Sequence, residues 1–251
     1  MSYSQTSVIK TMPVTTSSKS ALKYYLEGVK SLNDVAVEKG LNLLGQALGD
    51  DPDFFMANYQ VASLFYWNSS PRQFNFYANA AINCKAKLSP AEELLKSAIT
   101  RLREDRSADV TEVGKKLVGM YPGDPNAYND LIFFQSVIRD TTGLLETLND
   151  AVKRVKEPAS FYNQLGYIYM GQKQYNKAEE AFNKYIDLDP ENPNVYDSKG
   201  DYYMQVKDYR KAYESYMRAY SIDKSWGTDK ADQAKQLYEK QEGRSLNIVP
   251  V

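Results

Sequence analysis

Two adjacent carboxylate pairs, Glu92/Glu93 and Glu179/Glu180, are the first residues in this sequence to suggest acid–base chemistry. Adjacent positions on a helix point about 100° apart, so neither pair can clamp one bond between its carboxyls. Both read as solvated helix faces. DLDPEN (187–192) is acidic enough to raise calcium, but it lacks the loop with a central glycine and a terminal glutamate that the ion needs. It reads as an ordinary turn. The one cysteine, Cys84, falls on a helix among Ala80, Ala81 and Leu88, with only Lys85 near enough to activate it. A buried structural thiol is expected there, and one cysteine makes neither an internal disulfide nor a multi-thiolate metal site. GQKQYNKAEE (171–180) has neither phosphate-loop nor dinucleotide spacing. Histidine is absent from the 251 residues, which removes imidazole acid–base catalysis, Ser-His and Cys-His nucleophiles and imidazole metal ligation. No catalytic constellation, cofactor site or metal site is expected.

Composition points instead to binding. The chain has 31 Lys+Arg against 32 Asp+Glu, with no basic excess for nucleic acid. Tyrosine is abundant, at 21 residues, and joins a large apolar body to a polar tip. No apolar run is long enough to span a membrane. The opening, MSYSQTSVIKTMPVTTSSKS, has no apolar core of a secretory leader. The cytoplasm is expected for the chain as given, and the periplasm or cell envelope if a leader has been removed.

The elements that must position any binding residue come from a repeat. QYNKAEEAFNKYIDLDP (174–190) and DYRKAYESYMRAYSIDK (208–224) align at Tyr175/Tyr209, Lys177/Lys211, Ala178/Ala212, Glu180/Glu214, Phe182/Tyr216, Leu188/Ile222 and Asp189/Asp223, all offset by 34. Each unit reads as two amphipathic helices. The small residues Gly166, Ala178, Gly200 and Ala212 sit where the two helices cross closely, and Tyr169, Phe182, Tyr203 and Tyr216 fill the space beside them. DPENP and GDPNA end one helix and start the next, with Pro193 and Pro125 in first turns.

Within 159–192, the set Tyr162, Leu165, Gly166, Tyr169, Ala178, Phe182 and Pro190 resembles the tetratricopeptide repeat (TPR) pattern, departing from it at Tyr185. The unit 193–226 follows with Tyr196, Gly200, Tyr203, Ala212, Tyr216 and Ala219, departing at Lys199 and Lys224. Phase and apolar positions extend the repeat back through 125–158, 91–124, 55–90 and 21–54. The unit 55–90 is two residues longer, the excess being placed in WNSSPRQ (67–73). The resemblance implies an all-α, right-handed superhelical solenoid of about six TPR-like helix pairs with a C-terminal capping helix over 227–243. Tails are expected at 1–20, flexible and Ser/Thr-rich, and at 244–251, where the apolar SLNIVPV either packs on the array or marks a boundary. PVTTSSKSALKYYLEG (13–28) resembles the lead-in to repeat domains in bacterial proteins of the Bacteroidetes type, often exported.

In the family it resembles, the first helix of each unit lines a concave groove that binds peptides or protein segments. Positions 2, 5 and 9 share one face of that helix, bordered by position 6. They carry Asn126, Asn129, Asp130 and Phe133, then Ser160, Asn163, Gln164 and Tyr167, then Asn194, Asp197, Ser198 and Asp201. This ladder of small polar groups suits the main chain of an extended peptide, at roughly 0.5–1.5 kcal/mol per hydrogen bond. Such positions are equally what any solvated groove carries. At the other end Tyr25, Tyr59 and Tyr66 fall on the groove face by phase, with Trp67 beside it, so a ligand with an apolar anchor and a polar or basic stretch fits. No unit has the Lys and Asn pair with which some family members grip a chaperone's terminal carboxylate: the first offers Tyr25 and Val29, and only Lys96 matches a basic position. The expected function is a non-catalytic protein-interaction scaffold. The alternatives are an assembly or regulatory subunit working through its outer surfaces and, third, a carboxylate-only hydrolase.

Overall fold

A computed structural model describes residues 10–67 and 71–246. Among these residues there are thirteen α-helices, one short 3-10 turn and no strand. The chain divides into two compact units, 1–157 and 158–251. The first holds α1 (Lys19–Asn33), α2 (Val37–Asp50), α3 (Phe55–Phe65), α4 (Pro71–Ile82), α5 (Pro90–Glu104), α6 (Thr111–Met120), α7 (Pro125–Val137) and α8 (Thr141–Arg154). The second holds α9 (Ala159–Gly171), α10 (Tyr175–Leu188), α11 (Pro193–Gln205), α12 (Tyr209–Ile222), the 3-10 turn Lys224–Trp226 and α13 (Asp229–Glu242). Twelve of these helices pair as six antiparallel hairpins. No helix among the described residues is long and apolar enough to cross a membrane.

Four of the hairpin turns are built from the same parts. Val35, Arg139, Lys173 and Lys207 adopt left-handed backbone, with φ of 62°, 58°, 60° and 63°. The next residue's N–H then reaches back to a carbonyl of the last helical turn: Ala36 to Ser31, Asp140 to Gln135, Gln174 to Tyr169 and Asp208 to Tyr203. This closure satisfies carbonyls that the helix end leaves open. Arg139, Lys173 and Lys207 lie 34 residues apart. Val35 is the strained member, because a β-branched side chain crowds the carbonyl in that conformation.

Close helix crossing also follows the repeat. A methyl group on Gly166 would lie 2.5 Å from the Phe182 ring, and one on Gly200 would lie 2.4 Å from the Tyr216 ring. Helix starts are capped by side chains: Asp124 and Asn192 accept the N–H groups of Asn126 and Asn194, with Pro125 and Pro193 in the first turns. Tyr185, large where a small residue is usual, is buried, and its hydroxyl accepts from the Asn194 amide at 2.9 Å. Lys199 occupies an apolar position by laying its stem in the core and its ammonium on Glu179 at 3.2 Å, over the rings of Tyr202 and Tyr203. Cys84 is buried, its thiol donating to the Asp53 carbonyl, and burial pushes the thiol pKa up.

Two expectations are corrected. Residues 10–18, expected to be a flexible tail, form an extended strap on unit 1. Met12 is buried in the core, and its N–H donates to Asp124. Thr15 gives both N–H and hydroxyl to Glu92, at 2.7 and 2.6 Å, and Thr16 gives its hydroxyl to Asp51. Glu92 is accordingly no solvated carboxylate. It has no exposed surface, and it also closes a capping box with Ser89 at the start of α5. The strap therefore crosses three successive inter-repeat turns, each presenting one carboxylate to it. At the other end α13, read as charged on most faces, buries Ala231 and Ala234 completely against Ala212 and Tyr216. Leu246 is also buried, its N–H on Glu239. The expectations for residues 1–9, for the extra turn at 68–70 and for 247–251 fall outside the described residues.

Candidate functional site

In unit 1 the face expected to be an open aromatic groove is filled. Tyr25, Tyr59 and Tyr66 are at most 3% exposed. Tyr25 and Tyr66 pack on Phe54 and Phe74, and side chains of α7 reach α1 and α3. Tyr59 donates its hydroxyl to Asp130 at 2.8 Å, Asn129 reaches the Asn33 side chain at 3.4 Å, and Phe133 meets Tyr66 edge-on at 5.1 Å. The Tyr66 hydroxyl is spent on the Arg106 carbonyl, while the Arg106 guanidinium lies over the rings of Tyr66 and Phe74. Trp67 is the exception, 60% exposed with one edge against Tyr66 and Phe133. Asn126, Asn129, Asp130 and Phe133 line what is left of the opening, a cavity of about 60 Å³. The aromatic anchor site expected from Tyr25, Tyr59 and Tyr66 is therefore absent: the rings are core.

In unit 2 the corresponding face is partly open. Asn163 and Gln164 on α9 are half-buried, and Tyr167 is 37% exposed. The Asn163 side-chain oxygen is buried with no hydrogen-bond partner. The Tyr167 hydroxyl donates to Asp201 on α11 at 2.8 Å and approaches Ser198 at 3.3 Å. Asn194 is lost to this face: it is buried and bonded to Tyr185, because its position turns toward the preceding hairpin.

Asp197 and Asp201 hold a cation. The Lys230 ammonium from α13 lies 2.7 Å from Asp197 and 2.9 Å from Asp201, with the Tyr216 ring at 5.4 Å. Tyr216 donates its hydroxyl to Asp201 as well, at 2.8 Å. Burial lifts the Asp197 carboxyl despite the ammonium beside it, and burial with nearby Asp201 lifts the Tyr167 and Tyr216 hydroxyls. Burial works against the charged Lys230, but its bonds to Asp197 and Asp201 prevail and raise its pKa. The result is a compact anionic seat, walled by aromatic rings and sized for one ammonium group.

Two features escaped sequence reasoning. Lys230 lies in a helix whose charged faces suit a cap, although one further step of the 34-residue phase puts it on the first turn of another inner helix. Phe76 on α4 is 67% exposed, beside Tyr77, and lines a surface hollow with Arg72 and Gln73. Nothing in its local pattern separates it from the buried Phe74.

Family models described as tetratricopeptide repeat match residues 159–192 and 193–225. No curated protein sequence matches the chain. Among solved structures, MamA from Desulfovibrio magneticus RS-1 is 18% identical over 84% of this chain and 98% of its own, with a TM-score of 0.42. The APC/C hetero-tetramer Cut9–Hcn1 is 18% identical over 85% of this chain and 42% of that one, with a TM-score of 0.47. PilF of Pseudomonas aeruginosa is 16% identical, covering 90% and 94%, with a TM-score of 0.37. The matched segments coincide with the hairpins α9–α10 and α11–α12, including their Gly166–Phe182 and Gly200–Tyr216 crossings. Residues 159–225 are thus two tetratricopeptide repeats, the part of the chain that marks it as a scaffold for protein–protein interaction.

Proposed function

We propose that this protein is a non-catalytic scaffold that holds a basic protein segment along the face formed by α9 and α11. The observation that carries the reading is Lys230. An ammonium seated on Asp197 and Asp201, over Tyr216, is what a partner's lysine would supply, and the chain's own cap supplies it in the free protein. On α9, half-buried Gln164 and the partly exposed Tyr167 ring offer an amide and an aromatic surface to a partner's main chain. The partly open face and the acidic pair disfavour nucleic acid, whose phosphates would meet like charge. The binding test is a peptide array probed with the full-length chain. Captured peptides are expected to share a lysine or arginine, and to be lost when that residue becomes glutamine. Capture indifferent to charge would remove the basic-segment reading.

A second reading, assembly through the outer surfaces, is favoured by Phe76. Its ring is 67% exposed on α4 and lines a surface hollow with Arg72, Gln73 and Tyr77, which gives a partner an apolar contact. Phe76→Ser leaves a groove ligand bound and dissolves a complex built on α4, so co-purification of the variant separates the two.

A further inference from the structure

Where α7 closes onto α1 and α3, packing stays incomplete. The residual cavity of about 60 Å³ is lined by Tyr25, Gln60, Asn126, Asn129, Asp130 and Phe133 among others. One water needs roughly 10–15 Å³ on this scale, so the space takes about four waters, or an ammonium head with its first methylene. Asp130 is 8% exposed. One of its oxygens accepts the Tyr59 hydroxyl, and the other, Oδ2, has no hydrogen-bond partner. A buried carboxylate oxygen without a donor is unfavourable, so a donor belongs there.

The surroundings select a cationic donor. No lysine or arginine lines the cavity, so the carboxylate has no counter-charge within it. The rings of Tyr25 and Phe133 and the side-chain amides offer electron-rich contacts to a cation. The same molecule already meets this chemistry with an ammonium in unit 2, where Lys230 sits on two aspartates beside a tyrosine ring. We propose that the cavity of unit 1 is a binding site for a primary ammonium group carried by a partner, either a lysine side chain or a chain's N-terminal amine, with Asp130 as its acceptor. It uses none of the residues of the α9–α11 face, so either site can fail while the other stands.

A proton competes for the same oxygen. Burial pushes the Asp130 carboxyl up to about 7, with Asp124 adding to the rise and the Tyr59 bond opposing it. Two more titratable groups face it, Tyr25 and Tyr59, both raised by burial and then by Asp130. Ammonium binding therefore needs the ionised carboxyl and weakens as pH falls through that range.

The test is a titration of the full-length, isotopically labelled protein followed by NMR near pH 7.5. Three probes are used: N-acetyl-lysine methylamide, glycylglycinamide, and the neutral N-acetyl-norleucine methylamide. Resonances of Asn129 and its neighbours are expected to shift with the lysine probe or the dipeptide amide, whichever source the cavity takes, and not with the norleucine probe. Asp130→Asn, which keeps an acceptor for Tyr59, is expected to weaken that binding at least tenfold. In the wild-type protein, binding of the lysine probe is expected to weaken roughly 25-fold between about pH 7.5 and pH 5.5, as the ionised fraction falls. That pH dependence keeps the test decisive if the variant misfolds. Binding by the norleucine probe as strong as by the others, no pH dependence, or no shift with any probe would show that the cavity holds water only and overturn the proposal.

Discussion

Asp130 is the side chain whose position decides most at the scale of single residues. Its ordinary pKa of 3.8 becomes about 7 in the folded protein, chiefly through burial. Between about pH 4 and pH 7 the native state holds a proton that the unfolded chain has released. Stability therefore falls as pH rises through that window, by on the order of 4 kcal/mol, and levels off above it. Asp130→Asn is expected to flatten that slope and to leave the protein more stable than wild type near pH 8. Urea denaturation at a series of pH values measures it, and a slope the same in both proteins would contradict the burial argument. Much at this scale was legible in the sequence. Gly166, Gly200, Pro125 and Pro193 do what their types and spacing imply, because each answers to contacts within its own hairpin or turn. Tyr25, Tyr59 and Tyr66 were not legible. Their place by phase is the inner face, but whether that face is open depends on contacts with Phe54, Phe74 and side chains of α7, which no local pattern encodes.

At the scale of elements, the strap and the hairpin turns are the informative parts. The strap lacks any helical period, and a segment rich in serine and threonine reads as solvated. What holds it is the set of carboxylates at three distant turns, Asp51, Glu92 and Asp124, together with a pocket for Met12. Met12→Ala is expected to cost about 2–4 kcal/mol, as for other buried methionines. Chemical denaturation measures the loss, and a variant as stable as wild type would mean the segment is solvated after all. The turns show the opposite balance between local and distant causes. Arg139, Lys173 and Lys207 recur at the repeat spacing because these three hairpin turns close through one left-handed residue, although none is glycine. A search for glycine alone would miss all three.

At the scale of the whole molecule, the two units share one construction and differ in what their inner helices do. In unit 1 the inner face is core, and a small cavity around Asp130 remains. In unit 2 the face stays partly open and its acidic pair is satisfied by Lys230. The repeat was legible from period alone, because stacked hairpins repeat both their contacts and their spacing. The difference between the units was not, because it rests on pairs such as Tyr59–Asp130 and Asp201–Lys230, which lie 71 and 29 residues apart. The central claim is that the α9–α11 face binds a partner's ammonium in the seat that Lys230 occupies. The most direct measurement is calorimetric titration of one lysine-containing peptide from the array into the wild-type chain and into Lys230→Gln. Removing the internal competitor, a partly exposed ion pair, is expected to tighten binding about 3- to 10-fold. Affinity unchanged or weakened in Lys230→Gln would contradict the account.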